Sequence, residues 1–141
     1  MTANLHTPSG QFNWLLAEFV RRTDGVRDAV AVSSDGLLIA KSDGLDRAGA
    51  DHLSAIVSGL SSLGRSAARR YDFEGLKLIM IEMYRGFLLA SAFSGGGCIG
   101  VLAEADCELD LIGYEITVLV DRVGELLTPA MIAESRYALE V

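Results

Sequence analysis

The chain has 141 residues, half of them apolar, with a net charge of −7 and only two cysteines. That length suits one domain with a full core, and the acidic balance opposes binding along a phosphate backbone. No apolar run is long enough to span a membrane, because Glu82, Arg85, Glu115 and Asp121 interrupt the longer ones.

The excess negative charge is placed unevenly. Residues 102–141 carry nine acidic and two basic side chains, whereas residues 1–44 carry five and four, so a solvated acidic helix face near the C-terminus is expected. Cys98 and Cys107, with His6 and His52, make neither a disulfide framework nor a metal-spaced cluster. A cytoplasmic, reduced protein without cofactor or metal is the expectation.

Residues 1–9 lack a charged start followed by an apolar core, so they do not form a secretory signal; their polar composition reads as a tail. Ser9 is a candidate N-cap for a helix running to Thr23, with Phe12, Leu15, Leu16, Phe19 and Val20 as its apolar stripe. Trp14 lies at the edge of that stripe, as a core or interface anchor. Two short β-type runs, Val26–Ser33 and Leu37–Ser42, then flank Asp35-Gly36, a hairpin signal because glycine tolerates the turn's positive φ.

The next stretch, Asp46 to Arg70, organises the chain. Asp46 is a candidate cap, and Leu53, Ile56, Val57, Leu60, Leu63 and Ala67 recur at the spacing of one buried helical face. A second set, Ala55, Gly59, Ser62 and Ser66, is small and points elsewhere. Either it accepts a closely packed neighbour, or Gly59 and Gly64 simply weaken a surface helix by about 1 kcal/mol each. Arg65, Arg69 and Arg70 gather where the helix dipole favours cations.

After a connector at Tyr71–Gly75, three β-type runs follow: Leu76–Tyr84, Phe87–Phe93 and Cys98–Ala103. Short turns at Arg85-Gly86 and Gly95-Gly96-Gly97 join them into an antiparallel meander. Their weak alternation predicts a sheet covered by helices on both faces. Asp106 or a neighbour is expected to cap a last helix with the stripe Leu109, Ile112, Ile116, Leu119, Val120, Val123 and Leu127, ended by Thr128-Pro129. Residues 129–141 read as a tail or a short helix. The order α-β-β-α-β-β-β-α gives an α+β, three-layer α/β/α sandwich.

A search for chemistry yields little. The triple glycine lies between strands and lacks the following lysine of a phosphate-binding loop, no Gly-x-Ser-x-Gly elbow exists, and His52 has no nucleophile beside it. Cys107 near a helix start gains acidity from that position but loses it to Asp106 and Glu108, so both cysteines read as structural.

Several runs together carry a family pattern: Phe12-Asn13-Trp14-Leu15-Leu16, Gly25-Val26-Arg27-Asp28-Ala29-Val30, Ser34-Asp35-Gly36-Leu37-Leu38 and His52-Leu53-Ser54-Ala55. The chain resembles the bacterial roadblock (dynein-light-chain-like) domain over about residues 10–128, in particular the small roadblock proteins encoded beside Ras-like GTPases. The resemblance implies a five-stranded antiparallel sheet with the long helix on one face and two helices on the other, in a roadblock/profilin-like fold. It implies a homodimer formed by the central helices and third strands, which puts Ala55, Gly59, Ser62, Ser66, Leu78 and Met80 at the contact. The implied partner is a Ras-like small GTPase whose hydrolysis the dimer modulates without being an enzyme, and His52, Arg65 and Arg69 are candidate contacts to it. An arginine finger drawn from Arg65, Arg69, Arg70 or Arg85 is the chemical alternative. A passive scaffold holding a sensor kinase or other operon-encoded proteins is the rival role, and a small-molecule sensor a third; no nucleic acid or membrane insertion is expected.

Overall fold

A computed structural model of the protein describes residues 8–126. In chain order its elements are α1 (Pro8–Arg22), β1 (Val26–Val32), β2 (Leu38–Lys41), α2 (Arg47–Arg70), β3 (Leu78–Met83), β4 (Gly86–Ala92), β5 (Cys98–Glu104) and α3 (Leu109–Leu126). Of the expected N-terminal tail over 1–9, Pro8 and Ser9 belong to α1, and residues 1–7, the Thr128-Pro129 stop, the stripe residue Leu127 and the tail or helix over 129–141 lie outside the described residues.

The strands form one antiparallel sheet in the order β2-β1-β5-β4-β3. Helices α1 and α3 bury Phe12, Leu15, Leu16, Phe19, Ile112, Ile116, Leu119 and Val123 against one face, with Ala29, Leu89, Ile99 and Val101 beneath them. On the other face, Ala50, Leu53 and Val57 of α2 pack on Val30, Val32, Leu38, Leu88, Ala90 and Cys98. Both faces of β1, β4 and β5 are therefore buried, which is why those strands read as continuous apolar runs.

Local chemistry sets the element ends. Helix α1 opens at Pro8, one residue before the expected Ser9 cap, because a first-turn proline gives up an N–H that has no helical partner. Gly36, at φ 87°, closes the β1–β2 hairpin, and Gly95 and Gly96, at 98° and 91°, turn β4 into β5, so the triple glycine is a hairpin loop. Asp46 caps α2 as its position predicts, its carboxylate accepting from the Gly49 N–H at 2.7 Å. The cap of α3 falls on Glu108, whose carbonyl accepts from the Ile112 N–H at 3.0 Å.

One close approach fixes the spacing of α2 from the sheet. A Cβ placed on Gly100 of β5 would lie 2.5 Å from Val57 Cγ2 and 3.2 Å from Val30 Cγ2. Only the absence of a side chain there lets Val57 seat fully buried on the central strand. Ser61, also buried, follows one turn later and donates to Cys98 Sγ at 2.9 Å.

Candidate interaction surface

The two edges of the sheet are built differently. Strand β2 is four residues long, and Asn13 reaches from α1 to accept the Lys41 N–H at 3.0 Å. That blunts the edge against strand addition. Strand β3 at the opposite edge has no such cover among the described residues. Its alternation is as the sequence predicts: Ile79 and Ile81 join the α2-side core, while Leu78 and Met80 face the other side.

The expected helical cover does not extend over Leu78 and Met80. They are 49 % and 53 % exposed, because α1 and α3 lie over β1, β2 and β4 and stop short of the edge. Backbone polarity adds to this. The Ala92 N–H donates to the Lys77 carbonyl at 3.2 Å, opposite in register. Strict alternation then turns the N–H and C=O of Leu78, Met80 and Glu82 away from β4, outward from the sheet.

Helix α2 presents a matching surface. Ala55, Gly59, Ser62 and Ser66 are all exposed, and Gly59 lies two residues, roughly 200° around the helix, from the buried Val57. The small residues therefore point straight away from the core. A Cβ on Gly59 would meet nothing within 4 Å, whereas one on Gly64 would meet Leu76 Cδ1 at 2.9 Å and Ile79 Cδ1 at 3.3 Å. The two helical glycines thus separate: Gly64 admits Leu76, just before β3, and Ile79 within it, and Gly59 faces open space among the described residues.

The buried face of α2 differs from the one expected. Leu53 and Val57 are buried and Leu60 partly so, but Ile56 (43 % exposed), Leu63 (71 % exposed) and Ala67 lie in solvent beside the small residues. Ala50, Ser54, Ser61 and Ala68 take the inward positions. A helix pressed closely on a glycine-bearing strand selects small side chains at the contact, so apolarity misassigned the stripe. The misplaced leucine and isoleucine border the small face, and the neighbour of Leu63, Gly64, packs on β3. The exposed face of α2 is therefore apolar as well as small, while Leu78 and Met80 lie on the other side of the sheet at its β3 edge. Asn13, Ile56 and Leu63 are the residues that sequence reasoning did not place at this surface or at the protected edge. The 3/4 spacing of Ile56, Gly59, Leu63 and Ser66 was the signal available.

The candidate partner-contact residues are dispersed. His52 is exposed one helical face with Gly59, seven residues before it. Arg65 is thirteen residues on from His52, about 20 Å along the axis and about 140° around it. Its guanidinium reaches the Gly96 carbonyl and Ser62 Oγ, each at 3.5 Å. Arg69, exposed, follows Arg65 by one turn. The structure brings the two arginines together but leaves His52 apart, so the three do not form one binding spot.

Burial pushes the Cys107 thiol above its ordinary value, and the carboxylates of Asp106 and Glu104 add to this against a backbone hydrogen bond that lowers it. Glu104 rather than the expected Glu108 is the second carboxylate, because the Glu104–Cys107 turn folds it back. Among the described residues no group of three or more His, Cys, Asp or Glu side chains is placed to hold a metal ion. No helix among them is long and apolar enough to cross a membrane. What the arrangement offers chemically is adhesion: an open strand edge beside an exposed apolar helix face.

No curated protein matches the chain. Among solved structures it is similar to a Roadblock/LC7 domain from Streptomyces avermitilis, with 38 % identity over 79 % of this chain and 92 % of that one and a TM-score of 0.75. The fold is shared with MglB of Myxococcus xanthus at 13 % identity, covering 82 % and 94 % with a TM-score of 0.76. It is also shared with profilin IB of Acanthamoeba castellanii at 13 % identity, covering 82 % and 99 % with a TM-score of 0.57. The Roadblock/LC7 domain model matches residues 12–103. With the β2-β1-β5-β4-β3 sheet between one helix and two, this chain belongs to the Roadblock/LC7 domain family.

Proposed function

We propose that the protein is a homodimeric, non-enzymatic regulator of a Ras-like small GTPase in the cytoplasm. The observation that carries the reading is the open β3 edge, with Leu78 and Met80 exposed beside it, and a separate small-residue face on α2 made by Ala55, Gly59, Ser62 and Ser66 supports it. A second copy is the proposed cover: two β3 edges would share their outward N–H and C=O groups, and two α2 helices would approach at Gly59. Membership of the roadblock family supports a small GTPase as the partner, read by the surface that the paired helices create. His52 and the Arg65/Arg69 pair, at opposite ends of α2, are the proposed contacts.

The proposed action is repositioning of the GTPase's own groups rather than insertion of an arginine finger, a reading that fits Arg65 lying back along its own domain, 3.5 Å from the Gly96 carbonyl and from Ser62 Oγ.

The test is single-turnover GTP hydrolysis by a purified Ras-like small GTPase from the same organism, with and without the protein. Acceleration is expected, and Arg65→Ala and Arg69→Ala should each lower it less than tenfold, where loss of a finger costs about 10³–10⁵. A stable complex with unchanged hydrolysis would leave the passive scaffold as the function.

A further inference from the structure

The hydrogen-bond pattern of β3 restricts how a second copy can pair with its open edge. The outward backbone groups belong to Leu78, Met80 and Glu82, because Lys77, Ile79, Ile81 and Met83 turn theirs to β4. In an antiparallel ladder outward residues pair only with outward residues, so two identical edges related by a two-fold axis have few registers. With the axis at Ile79, only Leu78 and Met80 pair within the strand; with the axis at Ile81, only Met80 and Glu82 do. With the axis at Met80, all three pair: Met80 with itself, and Leu78 with Glu82 in both directions. Each such pair exchanges two hydrogen bonds, so the Met80 register makes about six and either neighbour about four.

Charges at the ends of the strand select the same register. With Met80 on the axis, continuing the ladder brings Arg85, in the β3–β4 turn, opposite Gly75 of the second copy and next to its Glu74. With Ile81 on the axis, Arg85 faces Lys77 instead, and like charges directly opposite one another oppose pairing. Glu74, Lys77 and Arg85 are all exposed. Among the described residues neither Arg85 nor Glu74 has an ion pair within its own copy. We infer that two copies join their β3 edges with Met80 on the two-fold axis, and that Arg85 of each copy closes the joint on Glu74 of the other. This inference rests on the self-association proposed above and adds its register and its ionic contact.

Oxidative cross-linking and sedimentation equilibrium test it on the full chain. The unsubstituted protein, with Cys98 buried and Cys107 half-buried, serves as the blank. Met80→Cys should form a disulfide-linked dimer by itself, since paired Cα atoms about 5.5 Å apart suit the bond. Leu78→Cys and Glu82→Cys should each stay unlinked alone, their two copies lying about 14 Å apart along the strand, and should link when mixed and re-equilibrated. Arg85→Glu and Glu74→Arg should each raise the dissociation constant about tenfold. Both reversals in one chain should return it to within about threefold of the original. Linkage of Leu78→Cys mixed with Met80→Cys, or of Met80→Cys mixed with Glu82→Cys, in place of Met80→Cys alone would overturn the register and put Ile79 or Ile81 on the axis. A double reversal no tighter than the single ones would overturn the Arg85–Glu74 contact. A dimer by sedimentation that none of these cysteines links would overturn the register and leave self-association to α2; a protein monomeric at every concentration would overturn both.

Discussion

Replacing Gly59 with leucine should act with opposite sign on the single domain and on its association. Within one copy the new side chain meets nothing within 4 Å, and glycine in a helix interior costs about 0.8–1.0 kcal/mol relative to a good helix former, so the isolated domain should gain about that much. In the proposed dimer the leucine would enter a contact between copies that glycine allows to be close. Overpacking of such a contact costs about 1–3 kcal/mol, and two-fold symmetry applies it at both copies, giving about 2–6 kcal/mol. That weakens the dimer by roughly 30-fold to 10⁴-fold. Sedimentation equilibrium over a concentration series gives the dissociation constant. Denaturant unfolding at the lowest concentration gives the stability of the separate copy, since an associating protein's stability depends on concentration. A dissociation constant unchanged by the leucine would refute the assignment of the small face to self-association. A destabilised isolated domain would refute the claim that Gly59 faces open space.

The core offers a contrasting glycine. Gly100→Ala places a Cβ 2.5 Å from Val57 Cγ2 on a fully buried strand, and should cost about 1–3 kcal/mol as a lower urea midpoint with unchanged slope; an unchanged midpoint would show that α2 moves freely off the sheet. Cys107 should alkylate with a pH profile displaced upward from an ordinary thiol, since burial and the nearby carboxylates of Asp106 and Glu104 disfavour the thiolate. Asp106→Asn removes one repelling charge, which lowers the thiol pKa, so the variant should react faster at neutral pH, as measured by iodoacetamide labelling. Equal rates would mean that Asp106 does not act on the sulfur.

Much of the architecture was legible in local chemistry. Asp35-Gly36, the triple glycine and Asp46 each meet a steric or hydrogen-bonding demand that depends on neighbours in sequence, and the structure places each in the expected turn or cap. The α1 and α3 stripes were readable for a related reason: each of these helices packs one face on a broad sheet, so apolar periodicity and burial coincide. The cap at Ser9 was misjudged because Pro8 competes for the same turn, and a first-turn proline costs the helix nothing.

The candidate surface was only half legible. Its small residues stood out as a stripe in the sequence, and the alternation along β3 separated Leu78 and Met80 from Ile79 and Ile81. Which stripe of α2 faces inward depended on how near the helix lies to the sheet, and Gly100, about forty residues away in the chain, sets that distance. Ser54 and Ser61 therefore entered the interior while Ile56 and Leu63 stayed outside. Likewise, which sheet edge is open depended on Asn13 reaching Lys41 and on α3 stopping short of β3. Periodicity and turn chemistry are properties of neighbouring residues, so sequence alone determined the elements, their order and the small-residue stripe. The depth of a contact and the reach of a covering helix arise between distant segments, and these only the tertiary structure decided.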